Sequence, residues 1–263
     1  MVRMLGLRSV FCRCCCSLLF GALTASAGVL VDGERVDYQL YIEKGFMSIS
    51  AGTAQLTTTR TNDFYDLVLD LSARPAVEAV YHFKTTLASR VTPELQPFRY
   101  VKHAEEGSRI YDEITRFSYP SNGGCRVEST RTFADGRVRT NQVFRTEGVY
   151  DLVSVIFQAR TNRWKSGAEK GNWTFPVATG LKVEEQVLID KGLEDVETSD
   201  GEVVKAHAYS LLRRSKTDTP PQDELARFWL ADDARHLPVR INLFLKFGTV
   251  SARAVPVASA SSF

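Results

Sequence analysis

The chain has 263 residues, 44% of them hydrophobic, and a formal net charge of +2 at pH 7. Basic and acidic residues alternate along it, and it has no lysine- or arginine-rich run that could follow a phosphate backbone. The composition therefore excludes nucleic acid as the expected partner. A chain of this length can bury a sizeable core, so we expect one large domain that needs no disulfides to fold.

Residues 1–27 have the order of a secretory signal peptide. Three arginines and no acid stand in residues 1–13, followed by an apolar run from Cys14 to Leu23 and the small residues Ala25-Ser26-Ala27. We expect cleavage before Gly28. The apolar run is too short for a membrane helix, which needs about 20 residues. We therefore expect an exported, periplasmic or extracellular protein with no integral membrane span after cleavage.

Cleavage would remove four of the five cysteines and leave Cys125 without a partner for an internal disulfide. Cys125 follows Gly123-Gly124 in a predicted turn, which favours a passive thiol over a nucleophile. Loss of three arginines also changes the formal net charge from +2 to −1 (2 − 3).

Alternation of apolar and polar residues predicts β-strands through most of the mature chain. In residues 64–71, for example, four apolar side chains share one face and two aspartates share the other. Lys44-Gly45, Asp135-Gly136 and Asp200-Gly201 have the residue types of tight hairpin turns. The pattern predicts a mainly β fold, an antiparallel meander of about ten strands that forms a strongly curved sheet or a barrel.

One segment, residues 151–164, departs from this alternation. Its apolar residues recur at spacings of three and four, and Asp151 can cap the first turn. We predict one helix there, laid against a face of the sheet or across the mouth of a barrel. Residues 74–87 fit either a helix or a strand. We expect a single β-rich domain over residues 28–257 and a frayed tail over 258–263.

Several short motifs, taken in order, resemble a bacterial family of exported proteins. Tyr38-x-Leu-Tyr41 stands near the start, a block over 151–160 in the middle, and a block over 229–241 near the end. Their order resembles the domain-of-unknown-function family numbered 3108, over about Val36 to Ala254. The resemblance implies an exported single domain with a β-rich fold, and it implies no particular activity. The motif positions are Asp151, Ser154, Arg160, Asp232, Pro238 and Gly248.

No catalytic or cofactor motif is recognisable, so we predict no catalytic residues, no cofactor and no metal. The G-x-S-x-G motif of serine hydrolases does not occur. His103 with Glu105 and Glu106 is the closest approach to a metal site, but these residues precede a predicted turn and we expect them to be solvated. Asp232-Asp233 has the residue types of a turn whose carboxylates accept backbone amides.

Three interpretations of function stay open. The preferred one is a non-enzymatic binder of an amphipathic small molecule or an envelope polymer, because a meander with a helix can enclose a cavity. Asp151, Arg160 and Trp164 are its candidate binding residues, although Arg160 can instead bond a buried carboxylate and fix the helix. The alternatives are a hydrolase of envelope polymers, whose strand carboxylates would face a cleft, and a purely structural or interaction protein. The sequence does not decide the oligomeric state, or whether aromatic side chains fill the interior.

Overall fold

The computed structural model describes residues 30–79, 82–161, 172–214, 223–245 and 248–256. The predicted leader and the predicted tail lie outside these ranges. The described residues form fifteen strands and two helices. In chain order they are β1 (Glu34–Lys44), β2 (Met47–Thr61), β3 (Phe64–Ala73), α1 (Pro75–Glu78), β4 (Phe83–Val91), β5 (Pro97–Glu106), β6 (Arg109–Ser118), β7 (Cys125–Phe133), β8 (Val138–Arg145), β9 (Tyr150–Asp151), α2 (Leu152–Thr161), β10 (Asn172–Thr179), β11 (Lys182–Glu197), β12 (Val203–Arg213), β13 (Asp223–Ala231), β14 (Pro238–Leu245) and β15 (Gly248–Ala254).

All fifteen strands belong to one sheet, in the order β8-β7-β6-β5-β4-β3-β2-β1-β15-β14-β13-β12-β11-β10-β9. Every neighbouring pair is antiparallel except β9 and β10, which are parallel. The mainly β class and the curved meander are therefore confirmed. The sheet is open, with β8 and β9 at its two edges, and a sheet of this many strands curls strongly.

The prediction of about ten strands was too low. Strand β4 places Thr85 and Ser89 on the same face as Leu87, so apolar and polar residues do not alternate clearly along it. For this reason residues 74–87 fitted either a helix or a strand. Strand β15 is short, and Val250 is its one large apolar residue, which weakens the signal of alternation there. Residues 181–198, in contrast, look like two runs because a bulge between Asp190 and Gly192 interrupts the single strand β11.

Alternating strand directions place the connections at two ends of the sheet. The helix end contains the start of β1, the β4–β5 and β13–β14 turns, and α2. The far end contains the β1–β2, β5–β6 and β10–β11 turns and the connection with α1. Edge strand β8 contacts the β10–β11 hairpin from the other side of the sheet through side chains, since Asn141 on β8 donates to the Leu181 carbonyl (2.8 Å) and Arg145 donates to the Val183 carbonyl (3.3 Å).

The main core lies between the inner face of the sheet and α2. Every residue of α2 from Val153 to Arg160 is buried, so the helix is enclosed on all sides and does not present a polar face as a covering helix would. A smaller cluster of Val196, Ala206, Ala208 and Trp229 lies on the opposite face of β11–β13. No helix in the described ranges is long and apolar enough to cross a membrane.

Candidate functional site

Asp151 caps α2, as its sequence position predicts. Its carboxylate accepts hydrogen bonds from the backbone amides of Val153 and Ser154 (both 2.9 Å) and from the Ser89 hydroxyl on β4 (2.6 Å). Ser154 accepts in turn from the Asp151 amide (2.9 Å), which resembles a reciprocal capping box. Complete burial raises the pKa of the Asp151 carboxyl, although these hydrogen bonds act in the opposite direction.

Arg160 occupies the other end of α2 and reaches a buried carboxylate. Its guanidinium lies 2.7 Å from the carboxylate of Glu34 on β1, and the side chains are 0% and 2% exposed. The same guanidinium donates to the Arg235 carbonyl (3.2 Å), and Arg235 itself lies 3.2 Å from Glu34. Arg160 therefore bonds a buried carboxylate of the sheet, which is the alternative to a binding role that the sequence left open.

The spacing of these two anchors fits the sheet. Ser89 and Glu34 belong to one row of register partners that crosses β4, β3, β2 and β1. Neighbouring strands lie about 4.8 Å apart, so three spacings separate the two residues by about 14 Å. The nine-residue step from Asp151 to Arg160 also rises about 14 Å in an α-helix. The helix therefore crosses the strands, bonded to β4 at one end and to β1 at the other.

Asp151 and Arg160 thus lie at opposite ends of one helix, each bonded to the protein itself. Trp164, the third predicted binding residue, lies outside the described residues. The structure does not bring the predicted residues together into one site, and their direct role in binding stays a prediction.

A polar strip continues from Ser89 along the same row. Its next register partners are Tyr100 on β5, Thr115 on β6 and Ser129 on β7, all buried on the inner face. The hydroxyls of Thr115 and Ser129 bond each other at 3.0 Å. Glu113 on β6 and Arg131 on β7 are register partners two residues closer to the far end than Thr115 and Ser129. The buried Glu113 carboxylate accepts a hydrogen bond from Arg131 at 2.6 Å. This strip is absent from the sequence-based site.

Within this inner face several buried polar atoms lack a hydrogen-bond partner in the part of the chain that the structure describes. They are the hydroxyls of Tyr100 and Thr85 and both side-chain amide atoms of Gln186, and these residues are at most 5% exposed. Burial, together with the nearby charges of Asp151 and Glu113, raises the pKa of Tyr100. The phenol is therefore a neutral hydrogen-bond donor at physiological pH.

The apolar side chains beside this strip are only partly buried. On β3, Leu67 is 0% exposed under α2, whereas Leu69 and Leu71 on the same face become partly exposed toward the far end. Leu87, the register partner of Leu69, is also partly exposed. Beyond the helix the inner face therefore presents apolar surface next to the polar strip.

The other candidate groups have structural partners. Cys125 is a buried free thiol whose pKa is raised mainly by burial, which is the environment of an inert cysteine. His103 bonds Glu105 (3.0 Å) and Asp112 (2.7 Å). Over the described ranges, no group of three or more histidine, cysteine or acidic side chains is arranged to hold a metal ion.

Comparison with known proteins identifies the family. The model of the family described as "Protein of unknown function (DUF3108)" matches residues 37–255. The chain belongs to this family. No curated protein matches the sequence. Among solved structures it is similar to the crystal structure of a β-barrel-like protein of domain of unknown function DUF1849 from Brucella abortus, with 9% identity and a TM-score of 0.54, over 86% of this chain and 97% of that chain. At this identity the likeness shows the fold alone.

Within the region matched by DUF3108, the remaining motif positions have structural contacts. The Asp232 carboxylate lies 3.5 Å from the His207 imidazole, and the Pro238 carbonyl accepts from the buried Tyr38 hydroxyl (2.7 Å). Gly248 has φ +146°, and a Cβ there would lie 2.7 Å from the Glu43 carbonyl oxygen. A side chain would therefore collide with β1. These positions shape the β13–β15 hairpins.

Sequence reasoning missed Tyr100, Thr85 and Gln186 because a polar residue on a strand is first assigned to the solvent face. The available signal lies in β4, where Thr85, Leu87 and Ser89 alternate in one register. If Leu87 points inward, period two places both hydroxyl residues on the inner face as well.

Proposed function

We propose that this protein is an exported, non-enzymatic binding protein of the cell envelope that holds an amphipathic ligand against the inner face of its sheet. The observation that carries the proposal is the set of buried, unpartnered polar atoms on Tyr100, Thr85 and Gln186. Leaving a buried donor or acceptor unsatisfied costs about 1–3 kcal/mol. A bound molecule that supplies hydrogen-bonding atoms to these groups would recover this free energy.

The apolar surface beside Thr85 supports an amphipathic ligand over a wholly polar one. Thr85 lies directly opposite Leu71, and the neighbouring row contains Leu69 and Leu87. Ligand sites in proteins combine an apolar lining with a few placed polar groups in this way. The polar part of the ligand would bond the hydroxyls of Tyr100 and Thr85, and its apolar part would cover Leu69, Leu71 and Leu87.

The buried carboxylates favour binding over hydrolysis. Asp151 and Glu113 are the acids whose charges act on Tyr100. Asp151 accepts from two backbone amides and the Ser89 hydroxyl, and Glu113 accepts from Arg131. Neither is a free general acid or base of the kind that glycoside hydrolysis requires.

Export rests on the leader pattern of residues 1–27. Osmotic release of cells expressing the full chain should yield a shortened protein whose first residue is Gly28. Retention of the full-length chain in the cytoplasm would contradict export without affecting the binding proposal.

Fluorescence titration with 11-(dansylamino)undecanoic acid, an amphipathic probe, tests the site in the purified protein. We expect Tyr100→Phe to weaken probe binding about tenfold, since one hydrogen bond to the probe is lost. Leu87→Trp should weaken probe binding further, because the indole would fill the space over the apolar surface of the inner face. Thr86→Val is the matched control. Thr86 stands between Thr85 and Leu87 in β4, but its hydroxyl bonds Asp70 on the outer face of the sheet. This substitution should change the affinity for the probe less than about twofold.

Native mass spectrometry of the same preparations gives an independent reading. A mass that co-purifies with the wild type and is lost from Leu87→Trp supports the proposal. A protein that carries no molecule and does not bind the probe leaves the structural or interaction role. Turnover of glycans, peptides or esters that is lost on substitution of a histidine or aspartate would favour the hydrolase.

A further inference from the structure

An apolar cluster extends from the inner face at the far end. We call it the lip and define it as Phe46, Met47, Ile49, Leu243 and Leu245. Their exposed fractions are 99%, 50%, 57%, 38% and 44%. Single exposed apolar residues are ordinary, but a contiguous group marks a surface for interaction.

Strand pairing makes the lip contiguous. Ile49, Ile42, Val250 and Leu243 form one row of register partners across β2, β1, β15 and β14, and therefore share a face. Met47 lies two residues before Ile49 on the same face of β2, and Leu245 lies two residues after Leu243 on the same face of β14. The next row toward the helix end, which includes Leu40, is buried. The lip is thus the exposed margin of the inner face.

Unpaired cations lie at the same end of the sheet as the lip. Seven exposed basic residues near the far end form no ion pair among the described residues: Lys44, Arg74, Lys84, Arg109, Arg139, Lys182 and Arg214. Several acidic side chains of the same end, in contrast, have cationic partners. Glu106 pairs with Lys102, Asp135 with Arg137, and Glu105 with two histidines. The far end therefore presents positive charge together with apolar side chains.

The connections at the opposite end are acidic. Those that the structure describes, over 30–33, 62–63, 92–96, 146–149, 198–202 and 232–237, contain eight aspartates and glutamates and a single arginine, while four exposed arginines stand on the adjoining strand ends: Arg60, Arg99, Arg116 and Arg126. The described residues therefore present more positive charge at the far end, and an anionic surface would attract that end more strongly. The separation of charge along the strands gives the molecule a preferred orientation toward such a surface.

We propose that the lip docks on the surface of a lipid bilayer with anionic headgroups. Phe46, at the hairpin tip, would enter the boundary between headgroups and acyl chains, and Met47 and Ile49 would follow along β2. Apolar insertion combined with electrostatic attraction is the usual basis of reversible membrane binding. The basic residues of the same end, and above all Lys44 beside the β1–β2 turn, would contact the lipid phosphates. This contact does not depend on a ligand in the interior.

Cosedimentation with vesicles tests the proposal. The purified protein should bind vesicles of equal parts phosphatidylglycerol and phosphatidylcholine, and bind phosphatidylcholine alone far more weakly. Phe46→Ser should weaken binding to the anionic vesicles about tenfold or more. The phenyl ring is fully exposed in the free protein, and its burial in the bilayer would no longer contribute to binding. Lys44→Gln should weaken it about fivefold, as expected for one cation at an anionic surface, and more at low salt than at high salt.

Matched controls lie at the helix end. Phe98→Ser removes an aromatic side chain that is 51% exposed there, and Arg60→Gln removes an exposed cation; both should bind the anionic vesicles like the wild type. Failure of the wild type to bind these vesicles overturns the proposal, as does full binding by Phe46→Ser. A dimer in sedimentation equilibrium that Phe46→Ser dissociates also overturns it, because a second copy of the chain then covers the lip.

Discussion

At the helix end the molecule satisfies its buried charges internally, whereas at the far end it leaves apolar and cationic side chains exposed. Asp151 and Arg160 bind α2 to two different strands through contacts that are almost entirely shielded from solvent. Toward the far end, the pair of Arg131 and Glu113 is shielded only at the carboxylate (27% and 1% exposed), and the apolar margin of that end reaches 99% exposure at Phe46. The comparison assigns stability to the helix end and leaves the far end available for contacts with other molecules.

The inner face shows the same difference at closer range. Leu67, under α2, is inaccessible to solvent, while Leu69 and Leu71 on the same strand become partly exposed within two and four residues. One helix therefore decides which part of a continuous face becomes core and which part remains a surface. Substitutions at the two ends should separate these roles.

The largest effect on stability is expected from Arg160→Met. This change removes the buried guanidinium and leaves the Glu34 carboxylate with only the half-exposed Arg235 as an ionic partner. Removal of one member of a buried ion pair costs about 3–5 kcal/mol. Arg137→Met is the far-end control, because its pair with Asp135 is exposed (67% and 53%) and such pairs contribute about 0.2–1 kcal/mol. Urea unfolding measures both free energies.

A double variant sharpens this test. Adding Glu34→Gln to Arg160→Met removes the negative charge of the buried Glu34 carboxylate, so part of the lost free energy of unfolding should return. Equal losses for Arg160→Met and Arg137→Met would show that the helix end is no more dependent on its charges than the far end.

A smaller loss is expected from Ile156→Ala in α2. Ile156 is 9% exposed, and truncation of a buried isoleucine typically costs about 2–5 kcal/mol, through lost burial and a residual cavity. The same chemical change at Ile49, which is 57% exposed in the lip, should cost within about 0.5 kcal/mol. Comparable urea midpoints for Ile156→Ala and Ile49→Ala would contradict the assignment of stability to the helix end.

The helix end was largely predictable from sequence. Helical spacing over 151–164 locates α2, the type of residue at 151 predicts the cap, and Arg160 is placed to reach a buried carboxylate. Its partner Glu34 could not be named, because it stands 126 residues away in sequence and only the strand order brings β1 beneath the helix.

The polar strip and the lip were not predictable, for opposite reasons. Tyr100 and Thr85 belong to residue types that usually reach solvent or a partner, and their burial depends on the register of three strands and a helix. Ile49 alternates as a core residue would, but β1 and β2 extend beyond the buried rows and leave it exposed. Alternation shows that two side chains share a face; it does not show where that face ends.

The smallest effect concerns the pH dependence of stability at the far end. His82 and His103 share the Glu105 carboxylate, and their outer nitrogens contact Glu78 and Asp112. The bond to Glu105 raises the pKa of His82, and the bond to Asp112 raises that of His103. The histidines in turn lower the pKa of Glu105.

The sign of the effect follows from these directions. The histidine contribution to stability is fully present below their ordinary pKa of 6.5 and is lost as the pH rises through their raised values. The Glu105 contribution is present above its ordinary pKa of 4.5 and is lost as the pH falls through its lowered value. The cluster therefore stabilises the fold most between these two ordinary values, and only slightly, because its side chains are accessible to solvent.

Melting temperatures at about pH 5.5 and about pH 8.5 measure this contribution. The wild type should lose more stability over this interval than the double variant His82→Gln/His103→Gln, which retains no titrating imidazole in the cluster. His236→Asn is the control at the helix end, where the imidazole contacts the Ala231 carbonyl and, within the part of the chain that the structure describes, no carboxylate accepts from that imidazole. Asparagine also tolerates the φ of +47° at this position. If His236→Asn removes as much of the pH dependence as the double variant, the titrating contacts do not distinguish the two ends.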